Sequence, residues 1–176
     1  MTHILQNFEN EITELFKAYR MAHFSLYNME KTFYDYKVEN PQIESFTIKD
    51  LDFDSELDFT EEEINKNRQN GNYQRIIAGN TLAMFYNIWE DKYRVEIANK
   101  ISVEKNEIKS DFFKELNYVR QSITHNSYNP SGKLDNLDKL SFIGNSTTLR
   151  LSSLEVEKVK ELLLREIERL KKLYYS

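Results

Sequence analysis

FFKELNYVRQSITHNSY, residues 112–128, carries apolar side chains at Phe112, Leu116, Val119 and Ile123. That spacing of three and four predicts an amphipathic helix with one buried stripe. Ser110 is a good N-cap residue, so the helix is expected to start there and run to about Thr124. Asn126 and NPSG, 129–132, supply turn chemistry after it. Arg120 and His125 stand near its end, five positions apart. At about 100° per residue they lie about 140° apart on a straight helix. They share a face only if the helix ends or distorts before His125.

Three more long helices are expected around this one. Leu5, Phe8, Ile12, Leu15, Phe16, Tyr19, Leu26 and Phe33 mark a helix over about 4–34, with Pro41 beyond its end. Leu82, Phe85, Trp89, Tyr93 and Ile97 mark a second, over about 73–100. Within it Glu90 and Arg94 have the favourable order for a helix ion pair. Ser152 and Glu155 have capping-box spacing before a last helix ending near Tyr174. Its core face is Val156, Val159, Leu163, Ile167, Leu170 and Tyr174.

Two regions read as extended. LDFDSELDF, 51–59, largely alternates acid with apolar residue, the period of a strand with an acidic outer face. Thr60 and Glu63 then fit a capping box for a short helix. KLSFI and TTLRL read as two short strands joined through Gly144, Asn145 and Ser146. The expected fold is all-α: a four-to-five-helix bundle, one domain over 1–176, with a small β-hairpin and an acidic extended insert over about 36–71.

Composition narrows the function classes. The chain has 176 residues, no cysteine and a formal net charge of -5. Disulfides and thiolate metal sites are excluded. A whole-surface nucleic-acid binder would usually be basic, so any phosphate site is expected to be local. No apolar run approaches membrane-spanning length, and MTHILQNFENEITELF meets acids and amides too early for a signal-peptide core. A cytoplasmic protein is expected.

Arg120 and His125 are the minimum set for cleaving an RNA phosphodiester without metal. Arginine holds a phosphate by charge and forked hydrogen bonds. Histidine moves a proton near neutrality. The plainer reading is a histidine facing the helix dipole beside a surface arginine. Glu90 and Arg94 likewise read either as a structural pair or as a site in which Glu90 orients Arg120 or His125. Trp89 lies on the apolar stripe and reads as core. His3, His23 and His125 show no metal-ligand spacing, and DxDxExD lacks the glycine and register of a calcium loop. No metal or other cofactor is expected.

FFKELNYVRQSITHNSY resembles the signature helix of the HEPN superfamily, whose hallmark is Arg, four to six residues, then His, late in a helix of an all-α bundle. NTLAMFYNIWEDKYRVEIA, 80–98, is similar to a second helix of small HEPN-like proteins, in which a Trp-Glu pair precedes a Tyr-Arg pair. Here these are Trp89, Glu90, Tyr93 and Arg94. The resemblance implies a homodimer with Arg-His pairs near the two-fold axis, and a metal-independent endoribonuclease acting on single-stranded or loop RNA. Such proteins often serve as toxins with a cognate antitoxin, or in phage defence. Arg120 would bind the scissile phosphate and His125 would act as acid or base. Asn126 matches the polar residue often found after the histidine. Gln121 stands where active members often carry Asn, Asp or His. Asn117, Gln121, Asn126, Tyr128, Glu90 and Arg94 are the supporting or RNA-binding candidates. The alternative is a non-catalytic module of the same fold that binds nucleotide, RNA or a protein partner.

Overall fold

The computed structural model describes residues 2–50, 52, 54–68, 71–130, 132–144, 149 and 151–175. Helix α1, Thr2–Glu39, has no glycine or proline to stop it and runs about five residues past its expected end. At 1.5 Å per residue its 38 residues span about 57 Å. Its first half buries Leu5, Phe8, Ile12 and Tyr19. No residue between 20 and 32 is buried, and Met21 (72% exposed) and Phe24 (62%) face solvent. Phe33 is buried again, where a hairpin covers it.

That hairpin is β1, Ser45–Asp50, paired antiparallel with β2, Ser55–Thr60, in the register Phe46 opposite Phe59. Those two rings stack 5.7 Å apart, and Phe46 lies 5.8 Å from Phe33 on α1. LDFDSELDF is therefore not one strand. Asp52 and Asp54 belong to the turn, Leu51 and Phe53 lie outside the described residues, and only Ser55–Phe59 enters β2. Alternation does not bury a face here, for Leu57 is 61% exposed and Phe59 alone is partly covered. The Phe46–Phe59 pair is the part of the ribbon that meets Phe33 of α1, so one cross-strand aromatic pair does the covering there. Helix α2, Glu61–Lys66, follows with the expected capping box: Glu63 N–H donates to Thr60 Oγ1 at 3.2 Å, and Thr60 N–H donates to Glu63 Oε2 at 2.9 Å.

Helix α3, Asn72–Ile88, passes through a π turn, Trp89–Tyr93, into α4, Arg94–Ile101. Ser102, in the left-handed region at φ 58°, closes α4. Helix α5, Asp111–His125, starts at its Ser110 cap, whose hydroxyl accepts from Phe113 N–H at 3.2 Å. The Ser110 hydroxyl also donates to buried Glu166 at 2.6 Å, which ties the cap to the last helix. A short helix α6, Ser141–Gly144, precedes α7, Ser153–Tyr175, which opens with Ser152 N–H donating to Glu155 Oε2 at 3.0 Å. Helix α3 packs on α1 and α5, and α7 packs on α1, α3 and α5. The chain is mostly helical with one small antiparallel sheet.

The hairpin expected over KLSFI and TTLRL does not form where the structure describes it. KLSFI ends a turn and enters α6, Gly132–Asn136 is a 3-10 turn, and residues 145–148 and 150, which carry most of TTLRL, lie outside the described residues. Leu134, Leu137, Leu140 and Ile143 are all buried, three apart. That is the repeat of tight helical turns rather than a strand's period of two. Glu115 of α5 fixes this segment. Its carboxylate accepts from Asp138 N–H at 3.1 Å and Leu140 N–H at 2.9 Å. Glu115→Ala leaves both donors unmatched, and a loss of about 2–4 kcal/mol is expected, read as a lower urea midpoint with unchanged slope.

Candidate functional site

The apolar stripe of α5 fixes which of its polar residues remain available. Phe112, Phe113, Leu116, Val119 and Ile123 are buried against α1, α3 and α7. Arg120 falls on the flank of that stripe and is half-buried. Its Nε donates to Asn117 Oδ1 at 3.2 Å, and its guanidinium carbon lies 5.3 Å from the centre of the Tyr86 ring on α3. One hydrogen bond and one cation–π contact thus hold the guanidinium before any ligand arrives. Asn117 is thus the residue that aims Arg120.

His125 is the last residue of α5 and is exposed. The helix neither ends nor distorts before it, so Arg120 and His125 do not share a face of one copy. Asn126 is the C-cap, and its carbonyl accepts from Asn129 N–H at 2.9 Å. Ser127 and Tyr128 then take positive φ, 49° and 67°, and Tyr128 N–H returns to Ser122 O at 3.0 Å. The Tyr128 ring packs where Gly79 has no side chain, since a Cβ there would meet ring atom Cε1 at 2.6 Å. The Arg75 guanidinium lies 5.1 Å from the same ring, and burial raises the phenol's pKa. Tyr128 therefore pins the end of α5 to α3. Gln121 accepts from Lys133 Nζ at 3.4 Å.

The π turn builds the other wall. Arg94 N–H donates back to Trp89 O, five residues away, which widens the helix at Glu90. Glu90 Oε2 accepts from Arg94 Nη1 at 2.8 Å and Oε1 accepts from Lys105 Nζ at 2.7 Å. Arg94 Nε is also held by Ile108 O at 3.0 Å. Burial pushes the Glu90 carboxyl upward, and the bonds from Lys105 and Arg94 more than reverse this, holding it below the usual glutamate range. Tyr86 is raised by burial first and then by the neighbouring Glu90 charge, to which its hydroxyl is bonded. Of the two roles expected for Glu90, the pair with Arg94 is present. Among the described residues Glu90 has no hydrogen bond or ion pair with Arg120 or His125, and Tyr86, bonded to Glu90, lies beside the Arg120 guanidinium.

Between these walls lies a cleft of about 400 Å³. Tyr86, Glu90, Arg94, Ser110, Lys114 and Asn117 are among its lining residues. Its floor is core: Trp89 stacks on Phe113 at 4.1 Å and 5°, and both are buried. Trp89 is thus packing, as its stripe position suggested. Tyr86 and Lys105 escaped the sequence reading because neither stands out in its own element. Their signal is positional: Tyr86 precedes Glu90 by one turn, and Lys105 lies just beyond the helix that carries Arg94.

His23 is half-buried beside Tyr19 and bonded to Gln74, a boundary histidine. Among the described residues no three His, Asp or Glu side chains gather as a metal site, and no helix is long and apolar enough to cross a membrane. Comparison with protein-family models, curated proteins and solved structures finds no match.

Glu90→Gln leaves Arg94 and Lys105 without their counter-charge, with an expected loss of about 1 kcal/mol at neutral pH. Because the folded-state pKa of Glu90 is depressed, its contribution is complete above the unfolded pKa of about 4.3 and is lost as pH falls through the folded value. The gap between wild type and variant in urea denaturation therefore closes on acidification below that point. A gap that stays constant from pH 7 to pH 3 would remove the charge pairing from the account.

Proposed function

We propose that this chain is a HEPN-like, metal-independent endoribonuclease of single-stranded or loop RNA, acting as a homodimer. The carrying observation is the pairing of a positioned arginine with an open imidazole near one helix end. Arg120 is held by Asn117 and Tyr86, and His125 is exposed five residues later. In the proposed reaction the ribose 2'-hydroxyl attacks the adjacent phosphorus, and its proton passes to a base. The phosphorane charge is balanced by Arg120. The leaving 5'-oxygen takes a proton and departs, leaving a 2',3'-cyclic phosphate. His125 serves as one of the two proton-transfer groups.

The 140° separation on one helix gives the dimer its role in this proposal. A second copy placed across a two-fold near the α5 ends would bring its own His125 or Arg120 to the same phosphate. Asn126, exposed beside His125, is an added polar contact for RNA. Single-stranded RNA suits the site because its backbone can adopt the in-line geometry that attack requires. A toxin or phage-defence role, with an antitoxin as protein partner, accompanies this reading.

A second reading has its own support. Arg120 turns back toward Asn117 and Tyr86, away from the end of α5. That arrangement suits a module that binds RNA or nucleotide phosphate without cleaving it.

The test is cleavage of mixed RNAs in EDTA by wild type, Arg120→Ala and His125→Ala. Wild-type cleavage leaving 2',3'-cyclic ends, with each variant reduced at least a hundredfold, is the expected result for loss of an acid-base or charge-stabilising group. Equal cleavage by wild type and His125→Ala would reject the assignment. Binding without cleavage by wild type would favour the second reading.

A further inference from the structure

The cleft beside Arg120 is poor in bound counter-charge for its position in an acidic chain. Arg94, Lys109 and Lys114 line it together with Glu90 and Asp111. Glu90 is already matched twice, by Arg94 and by Lys105 behind the wall. Asp111 is a weaker neighbour of Arg169 on α7, whose two bonds go to Glu166, so its charge stands against the cleft lysines. Lys109 and Lys114 remain: both are exposed, and among the described residues neither ammonium has an ion-pair partner. The Lys109 carbonyl accepts from Arg169 Nη2 at 3.5 Å, which anchors the backbone that carries that lysine. In a chain of net charge -5, two lysines against one carboxylate leave a net positive patch at the cleft.

The placement relates this site to the arginine. Lys114, Asn117 and Arg120 follow one another at three-residue steps along α5, each step turning about 60°, so Lys114 and Arg120 stand about 120° apart with Asn117 between them. Tyr86 and Asn117, the two residues that hold Arg120, also line the cleft. From Lys114 to Arg120 the rise is about 9 Å. The floor is closed by the Trp89–Phe113 stack, so the rings cannot part to take a base. The cleft offers ammonium groups and the Asn106 and Asn117 amides, all suited to backbone oxygens.

We propose that this cleft is a second phosphate subsite, in which Lys109 and Lys114 hold the backbone of single-stranded RNA next to the phosphate at Arg120. The subsite rests on the ribonuclease reading for its purpose and is tested apart from it. It contributes affinity and register without reading sequence.

The probe is a fluorescent 2'-O-methyl RNA 12-mer, which lacks the attacking hydroxyl and reports binding alone. Its affinity is measured against KCl concentration for wild type, Lys109→Ala/Lys114→Ala and a control, Lys49→Ala/Lys66→Ala, which removes the same charge from the hairpin region. Two lost phosphate contacts should lower the magnitude of the log–log salt slope by about 1.4 and weaken binding on the order of tenfold near 0.1 M salt. The control should match wild type, and Lys109→Arg/Lys114→Arg should restore the slope. With cleavable RNA, the Lys109→Ala/Lys114→Ala protein should lose kcat/KM by the same factor while keeping kcat.

Equal slopes for the cleft variant and wild type, or no binding of the 12-mer by wild type, overturn the subsite. So does competition by AMP or inorganic phosphate at the concentration at which the RNA itself binds, which would make this a free-nucleotide or phosphate site. Lysine-dependent binding by a wild type that cleaves no RNA retains the subsite and rejects the nuclease, so the two failures are distinct.

Discussion

Trp89 and Phe113 lie face to face with centroids 4.1 Å apart, and three helical segments are committed by that contact. Trp89 comes from the π turn after α3, Phe113 from the first turn of α5, and Phe8 of α1 lies 6.0 Å from each ring. Tyr93 stacks on Phe8 at 4.5 Å from one turn further along. Each ring carries a large apolar area out of water, and the offset geometries add to that. The distance between α5 and the π turn is therefore the thickness of two stacked rings. The cleft is what remains above the pair once the helices are held at that spacing. Its polar walls are the residues next to the rings in sequence: Glu90 after Trp89, Lys114 after Phe113.

This placement explains why strong charges can stand beside a core without destabilising it. Glu90 is 21% exposed and would cost desolvation energy alone. Arg94 and Lys105 meet it from two sides, and Ile108 O takes a further Arg94 hydrogen. Tyr86 passes the effect to Arg120 by standing between the carboxylate and the guanidinium. The same economy appears at Ser110, which caps α5 with one lone pair and donates its hydrogen to Glu166. Arg169 answers that carboxylate with two bonds, at 2.9 and 2.7 Å.

Much of the helical frame was legible in the residues. The stripes of α1, α5 and α7 follow the 3.6-residue period, and the caps at Thr60, Ser110 and Ser152 carry their oxygen chemistry openly. The segment near 134–143 was misread because KLSFI taken alone alternates, while its true repeat of three runs from Leu134 to Ile143 and is visible only over the longer window. The Arg120–His125 spacing was legible, and so was the face problem it creates. The cleft was not. Its lysines come from a loop and a helix start, and their place beside Glu90 in one cleft depends on how α4 leaves the π turn. One trace of that turn did exist: Phe85, Trp89, Tyr93 and Ile97 recur every four residues, slower than an α-helix rotates.

A π turn is a helix holding one residue more than its length requires. Over the twelve residues from Phe85 to Ile97 a regular helix would carry the stripe about 120° around its axis. The wide turn absorbs most of that drift, and all four residues end up in the core. Shape here depends on a count. Removing one residue from the turn, such as exposed Asp91, would leave the stripe at steps of four, three and four, which a regular helix keeps within about 60° of its surface. Ile97 would stay in the interior, while Glu90 and Arg94 would stand three residues apart instead of four. The extra residue thus shapes the wall of the cleft at Glu90 without displacing the core stripe below it.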